Sequence, residues 1–206
     1  GIFITQTKKL SDVLHQYDCK LFVQMQLGLG RNAVPSQLQG QPVAASPVPN
    51  FFDPKVLCRE MTNEEVRRLI DAAIEAAVLI KKAGADGVDV NGIKGGYIGD
   101  VFGTEAFNSR SDEYGGDTEG RIRFMIEIIQ GIKEKCGKDF PITTRLGTKA
   151  HMKALNQSHL PGEEYKEYGR DLSESIKIGK LLEKAGLDGI LFGTGNYDSL
   201  YWMYPP

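Results

Sequence analysis

The sequence has no basic run or stripe: its 25 Lys and Arg residues face 27 Asp and Glu residues scattered over 206 positions. That balance argues against electrostatic capture of nucleic acid or of an anionic membrane surface, and leaves a small molecule as the expected partner. No apolar run approaches the roughly 18 residues of a transmembrane helix, and the opening stretch GIFITQTKKL lacks a signal-peptide pattern. The cytoplasm is the expected compartment. Cysteine is scarce: Cys19, Cys58 and Cys136 are odd in number, far apart and never in CxxC spacing. Neither a disulfide framework nor a thiolate metal site is suggested, only three reduced thiols. What is present is enough chain to bury a core as one domain, 1–206.

Apolar periodicity alternates along the chain. Leu10, Val13, Leu14 and Tyr17 fall at helical spacing, and LFVQMQL (21–27) follows as a strand. From 28 to 60 the pattern dissolves into Gly, Pro, Asn, Ser and Gln, which predicts an irregular loop or a short excursion. Thr62 and Glu65 then spell a capping box, and Val66, Leu69, Ile70, Ala73, Ala77 and Ile80 line one face of a long helix that stops at Gly84. A short apolar strand, 87–90, opens a glycine-rich connection. A further helix starts near Asp117, with Ile122, Met125, Ile129 and Ile132 on one face, and ends at Gly137. FPITTRLG (140–147) makes a strand. After a polar stretch through Pro161 and Gly162, Asp171 and Glu174 cap a last helix closed by Gly186, and GILF (189–192) is the last strand.

KAGADGV (82–88) and KAGLDGI (184–190) are near-copies, an internal repeat of an αβ unit. Helix-to-strand links are short and strand-to-helix links long, so the long loops gather at the carboxyl ends of the strands. Alternating helices and apolar strands imply a parallel α/β sheet. A doubly wound sheet fits the alternation, but the loop asymmetry favours a (βα)8 TIM barrel, of which four strands are expected, near 21–26, 86–90, 141–145 and 188–192. A closed barrel needs eight strands and about 250 residues, so the chain is expected to be a fragment supplying about four βα units. The active face of such a barrel lies at the strands' carboxyl ends. There, after the 87–90 strand, Asn91, Lys94, Tyr97 and Asp100 crowd together.

VQMQLGLGR (23–31), PNFFDPKVLCREMTNEEV (49–66), GYIGDVF (96–102), NSRSDEYGGDTEGRIRF (108–124), LPGEEYKEYGRDLSES (160–175) and YDSLYWMYPP (197–206) together carry a specific resemblance. The chain resembles the Old Yellow Enzyme family of FMN-dependent ene-reductases, on the branch of 2-enoate and bile-acid enoate reductases. The resemblance implies the third to sixth strands of an eight-stranded barrel. In longer members of that branch an iron–sulfur cluster and a dinucleotide-binding part, with FAD as the implied flavin, follow the barrel. This sequence holds neither the cysteine cluster nor a GxGxxG after a strand.

Gln24 sits inside an apolar strand, where an amide needs partners; the resemblance makes it a contact to the flavin's pyrimidine edge, the alternative being an amide satisfied by neighbouring backbone. Arg145 ends the strand TTRLG, and the resemblance places it near N1 of the flavin, where a cation tunes the reduced ring; the alternative is an ordinary salt bridge. Arg110, Asp112, Glu113 and Arg121 read as a structural network pinning the loop to the following helix. At 91 and 94 the family carries a His with a second His or Asn that grips the substrate carbonyl. Here stand Asn91 and Lys94, which keep hydrogen-bond donors and add a positive charge. Either the role survives with different chemistry, or the pair has lost it and Lys94 is a solvated charge. Tyr97 matches the family's proton donor; the alternative is a tyrosine packed under its loop.

The resemblance thus implies reduction of a carbonyl-conjugated alkene, an enoate or enone, with FMN held by the longer protein and NADH or NADPH as electron donor. Two other readings stay open: a lyase or aldolase-type barrel with Lys94 as Schiff-base nucleophile, and a non-catalytic, decayed barrel. Since the family's phosphate-binding loops follow the seventh and eighth strands, these 206 residues alone are expected to bind FMN weakly or not at all. Two open sheet edges lead to the expectation of a homo-oligomer.

Overall fold

A computed structural model describes residues 1–150 and 169–199. Helix α1 (Ile2–His15) leads to strand β1 (Phe22–Gln26). Two short strands, β2 (Val43–Ala44) and β3 (Arg59–Glu60), precede helix α2 (Asn63–Lys82) and strand β4 (Gly87–Ile93). A short helix α3 (Ile98–Gly103), a long helix α4 (Thr118–Cys136), strand β5 (Ile142–Gly147), helix α5 (Leu172–Ala185) and strand β6 (Gly189–Gly193) follow. The stretch around Pro161 and Gly162, and the YDSLYWMYPP motif from 200 on, lie outside the described residues.

The main sheet runs β1-β4-β5-β6 with every pair parallel, as the alternation predicted. One face is apolar: Val88, Val90, Ile142 and Leu146 are wholly buried beneath the helices, where α2 packs on α4 and α4 on α5. Ile122, Met125, Ile129 and Ile132 of α4 are buried as their spacing requires. Each such side chain contributes about 1.5–3 kcal/mol by leaving water.

The helix ends follow the signals in the sequence. Thr62 Oγ1 accepts the Glu65 N–H at 3.2 Å and the Glu65 carboxylate accepts the Thr62 N–H at 2.8 Å, a complete capping box. Asp117 and Asp171 cap α4 and α5 through one side-chain bond each, accepting the Gly120 and Glu174 N–H. Arg59, and after it the Thr62 N–H, lower the Glu65 carboxyl to about 2 from its ordinary 4.5. Its contribution to stability is therefore present above about pH 4.5 and lost as pH falls through about 2. Replacing Thr62 by Ala should cost about 1 kcal/mol of stability at neutral pH, measurable as a shifted urea midpoint; no shift would show that the cap is dispensable.

The repeated KAG-x-DG unit has a physical meaning. Gly84 and Gly186 sit at φ +83° and +109°, a region side chains avoid. Two residues on, each aspartate locks onto a neighbouring strand. Asp86 takes the Leu21 N–H on its carboxylate at 2.8 Å and gives its own N–H to the Leu21 carbonyl at 2.8 Å. Asp188 repeats both bonds with Ile142, at 2.7 and 2.9 Å.

Four features differ from the sequence reading. The first helix begins at Ile2, because nothing in IFITQT breaks it, and Leu10, Val13 and Tyr17 are exposed. The 28–60 excursion contains the parallel β2/β3 pair. The glycine-rich connection contains α3. Strand β4 runs to Ile93, so Asn91 belongs to the sheet and not to the loop after it. No helix among the described residues is long and apolar enough to cross a membrane.

Candidate active site

The inner face of the sheet, turned away from the helices, is polar. Registers place Gln24 beside Asp89 and Asp89 beside Thr143 in one layer, with Gln26 beside Asn91, and Arg145 beside Leu191, nearer the carboxyl ends. Asp89 is the hub of the deeper layer: it accepts Gln24 Nε2 at 2.5 Å and Thr143 Oγ1 at 2.8 Å, and lies 3.5 Å from Arg145 Nε. In the upper layer Asn91 Nδ2 donates to Gln26 Oε1 at 2.6 Å. An open cavity of about 620 Å³ is lined by Phe22, Gln24, Asp89, Thr143, Arg145, Gly189, Ile190 and Leu191.

A β-bulge aims the upper layer. Val90 pairs with Thr144 but Ile93 pairs with Leu146, so Asn91 and Gly92 stand against one residue of β5. The Thr144 hydroxyl fills the kink by donating to the Val90 carbonyl at 2.8 Å. A side chain at Gly92 would lie 2.4 Å from that hydroxyl, so the bulge needs glycine for close approach.

Beyond the bulge, Gly95 and Gly96 at φ +76° and +78° turn the chain back. Lys94 is half-buried and lies across the end of β6, where a Cβ at Gly193 would come 2.5 Å from its Nζ. Tyr97 meets Tyr197, from the loop after β6, hydroxyl to hydroxyl at 2.9 Å with rings edge to face. The Tyr97 phenol is pushed up to about 12 by that hydrogen bond, then by burial and by the charge Tyr197 would carry. Tyr197 also packs edge-on against Phe51 and Phe52, while its neighbour Asp198 pairs with the buried Arg31.

Arg170 underlies this mouth as the largest of the fully buried side chains among the described residues. It donates to the Gly147 carbonyl at 3.1 Å, the Ile93 carbonyl at 3.2 Å, Thr104 Oγ1 at 3.1 Å and Asp100 Oδ1 at 2.9 Å. Asp100 in turn accepts the Gly96 N–H at 2.7 Å. The ends of β4 and β5, the glycine turn and α3 are thereby tied to one guanidinium.

Asn91, Lys94 and Tyr97 thus stand at the carboxyl end of β4, and Gln24 and Arg145 on the inner face below. Gln24 is exposed toward the cavity, not enclosed in apolar surroundings, and Gln26 shares Asn91's layer. Gln26, Asp89, Arg170 and Tyr197 escaped the sequence reading. Period two was the available signal for Gln26 and Asp89, which alternate with outward Met25, Val88 and Val90. Arg110 binds the carbonyls of Ala45 and Met61 and the side chain of Asn63. Arg110 therefore ties its loop to the 28–60 excursion and to the start of α2, and not to α4.

Residues 3–176 match the family model for the NADH:flavin oxidoreductase / NADH oxidase family. The chain belongs to that family. It is 43% identical over 204 residues to cinnamate reductase of Clostridium sporogenes, covering 99% of this chain and 31% of that protein. It is 36% identical over 200 residues to NADH oxidase of Thermoanaerobacter brockii, covering 96% of this chain and 28% of that one. A solved structure of 2-naphthoyl-CoA reductase superposes with a TM-score of 0.79 at 28% identity, over 95% of this chain and 29% of that one. An old yellow enzyme homologue from Zymomonas mobilis superposes at 0.71 and 24% identity, over 92% of this chain and 52% of its own, and supports the fold alone. The chain spans about a third of the length of the curated relatives it matches. Its four parallel strands form part of the TIM-type barrel of these flavin oxidoreductases.

The inner face suits a flavin ring. Amides at Gln24 and Gln26 offer both donors and acceptors, the pattern a pyrimidine edge presents, and Arg145 Nε is buried without a hydrogen bond among the described residues.

Proposed function

We propose that this chain is the catalytic barrel segment of a cytoplasmic, FMN-dependent ene-reductase that takes electrons from NADH or NADPH and reduces a carbonyl-conjugated alkene. The observation that carries this reading is the Gln24–Asp89–Thr143 chain with Arg145 Nε paired to Asp89, on the floor below Asn91, Lys94 and Tyr97. FAD and an iron–sulfur cluster belong, in this reading, to other parts of the protein.

When bound, FMN supplies a hydride from N5 to the β-carbon of the alkene. Gln24 and Gln26 would hold the pyrimidine edge, and Arg145, kept in place by Asp89, would offset negative charge on the reduced ring. The Asn91 amide and the Lys94 ammonium donate to the substrate carbonyl, where the charge of an enolate develops. Tyr97 donates its proton to the α-carbon: its O–H bond breaks as the new C–H bond forms, leaving a phenolate. The raised phenol keeps that proton in place throughout the neutral range.

The test is the full-length protein. Its absorption spectrum should show bound flavin, which a reductant bleaches and an enoate or enone restores. A flavin-free protein trapped by borohydride with a carbonyl substrate would instead favour Schiff-base chemistry at Lys94, and a flavin-loaded protein inert to every alkene a decayed site. The 206-residue chain by itself should bind FMN weakly, because the loops assigned to the phosphate belong to the seventh and eighth strands; tight stoichiometric binding would contradict this. Strands β1 and β6 edge the described sheet, and we expect this chain in isolation to sediment as a two-fold dimer. A compact monomer would rule that out.

A further inference from the structure

We infer that Tyr197 is the positioning residue for the Tyr97 phenol and the second member of a two-phenol relay that returns a proton to Tyr97 in the course of each transfer. This rests on the proposed reduction and extends it to where the proton comes from. Geometry supplies the argument. A phenol has one proton, so a Tyr97 that spends it on Tyr197 has none to offer a substrate carbon. The productive order is therefore the reverse, with the Tyr197 hydroxyl donating to the Tyr97 oxygen across their 2.9 Å contact, which leaves the Tyr97 proton free to face the cavity.

The same order serves the second half of the step. As the proton leaves Tyr97 for the α-carbon, the phenolate left behind already accepts a hydrogen bond from Tyr197. Transfer along that bond in the same step restores Tyr97, and a proton from water then restores Tyr197, which is half-buried and within reach of solvent. No electrons move in the relay; one O–H bond breaks and one forms at each hydroxyl.

Tyr197 is built to hold still. Its ring meets Phe51, Phe52 and Tyr97 edge to face at centroid distances of 5.5, 6.3 and 5.7 Å. The adjoining Asp198 is tied to Arg31, whose guanidinium lies 4.4 Å over the Phe107 ring. The loops after β1, β4 and β6 thus converge on one hydroxyl pair. Tyr97 and Tyr197 are 100 residues apart, so no local constraint forces their contact.

The experiment compares the full-length protein with its Tyr197→Phe variant by two readouts. Carbon NMR of ring-labelled tyrosine, assigned with Tyr97→Phe, follows ionisation of Tyr97, and a proton inventory in mixed light and heavy water follows alkene reduction. We expect Tyr197→Phe to shift the pH at which Tyr97 ionises, to slow alkene reduction about tenfold, and to reduce the inventory from two protons in flight to one. Flavin reduction by the nicotinamide should be unchanged. An unaltered Tyr97 titration, or an unaltered inventory, overturns the relay. In a protein that reduces no alkene, the functional reading has failed, and the titration still separates a coupled pair from two independent phenols.

Discussion

Replacing Arg170 by Met should destabilise the protein by about 3–5 kcal/mol, the largest loss expected from any single substitution among the described polar residues. Arg170 and Asp100 have side-chain exposures of only 2% and 3%. Removing the guanidinium strands the carboxylate in low dielectric with the Gly96 N–H as its remaining strong donor, and leaves the carbonyls of Ile93 and Gly147 without that partner. Breaking one side of a buried pair costs more than the pair itself is worth. The double variant Arg170→Met, Asp100→Leu should therefore lose less than Arg170→Met alone. Urea unfolding, followed by release of flavin from the full-length protein, measures both. A single-variant loss below about 1 kcal/mol, the typical cost of any substitution, would show that Arg170 is not the clamp.

Tyr97→Phe should slow alkene reduction by about 10²–10⁴, the usual contribution of a positioned general acid, equivalent to roughly 2.7–5.5 kcal/mol of barrier. Reduction of the flavin by NADH or NADPH should proceed at its normal rate, because that half of the cycle needs no proton from Tyr97. With its phenol raised to about 12, the protonated, active form persists as pH rises, and wild-type alkene reduction should show no loss from Tyr97 ionisation below about pH 11. Stopped-flow measurement of the two half-reactions separates the steps. Equal slowing of both would indicate a disturbed flavin pocket and remove Tyr97 from the proton transfer.

What could be read directly from the sequence was what neighbours in sequence decide. Thr62 with Glu65, Asp117 and Asp171 announced their helix starts through bonds spanning three residues, and the four strands followed from their apolar runs. The α4 face was readable for the same reason. Leu10 and Val13 show the limit: their spacing specified a helix, yet spacing does not say what covers the face, and here both are exposed. The site was legible only in part. Asn91, Lys94 and Tyr97 lie close together in sequence, whereas Arg170 reaches Ile93 across 77 residues and Asp89 gathers Gln24 and Thr143 from separate strands. The β4 bulge was invisible because it depends on how β5 presents Thr144.

The aspartates of the repeated unit, Asp86 and Asp188, sit at the amino-terminal rim, the opposite end of the strands from Asn91 and Tyr97. Each fixes how far its strand slides along the neighbour, and in a pleated sheet a slip of one residue inverts inside and outside. With Asp86 gone, β4 could advance by one step, carrying Asp89 and Asn91 toward the helices and delivering Val88 and Val90 to the cavity. Substitutions at this distant rim would then present as lost flavin binding and altered substrate handling, though no atom there touches the chemistry. A screen for inactive variants would accordingly collect both rim aspartates together with Tyr97 and Arg145, and only spectroscopy of the purified variants would tell a misregistered floor from a missing proton donor.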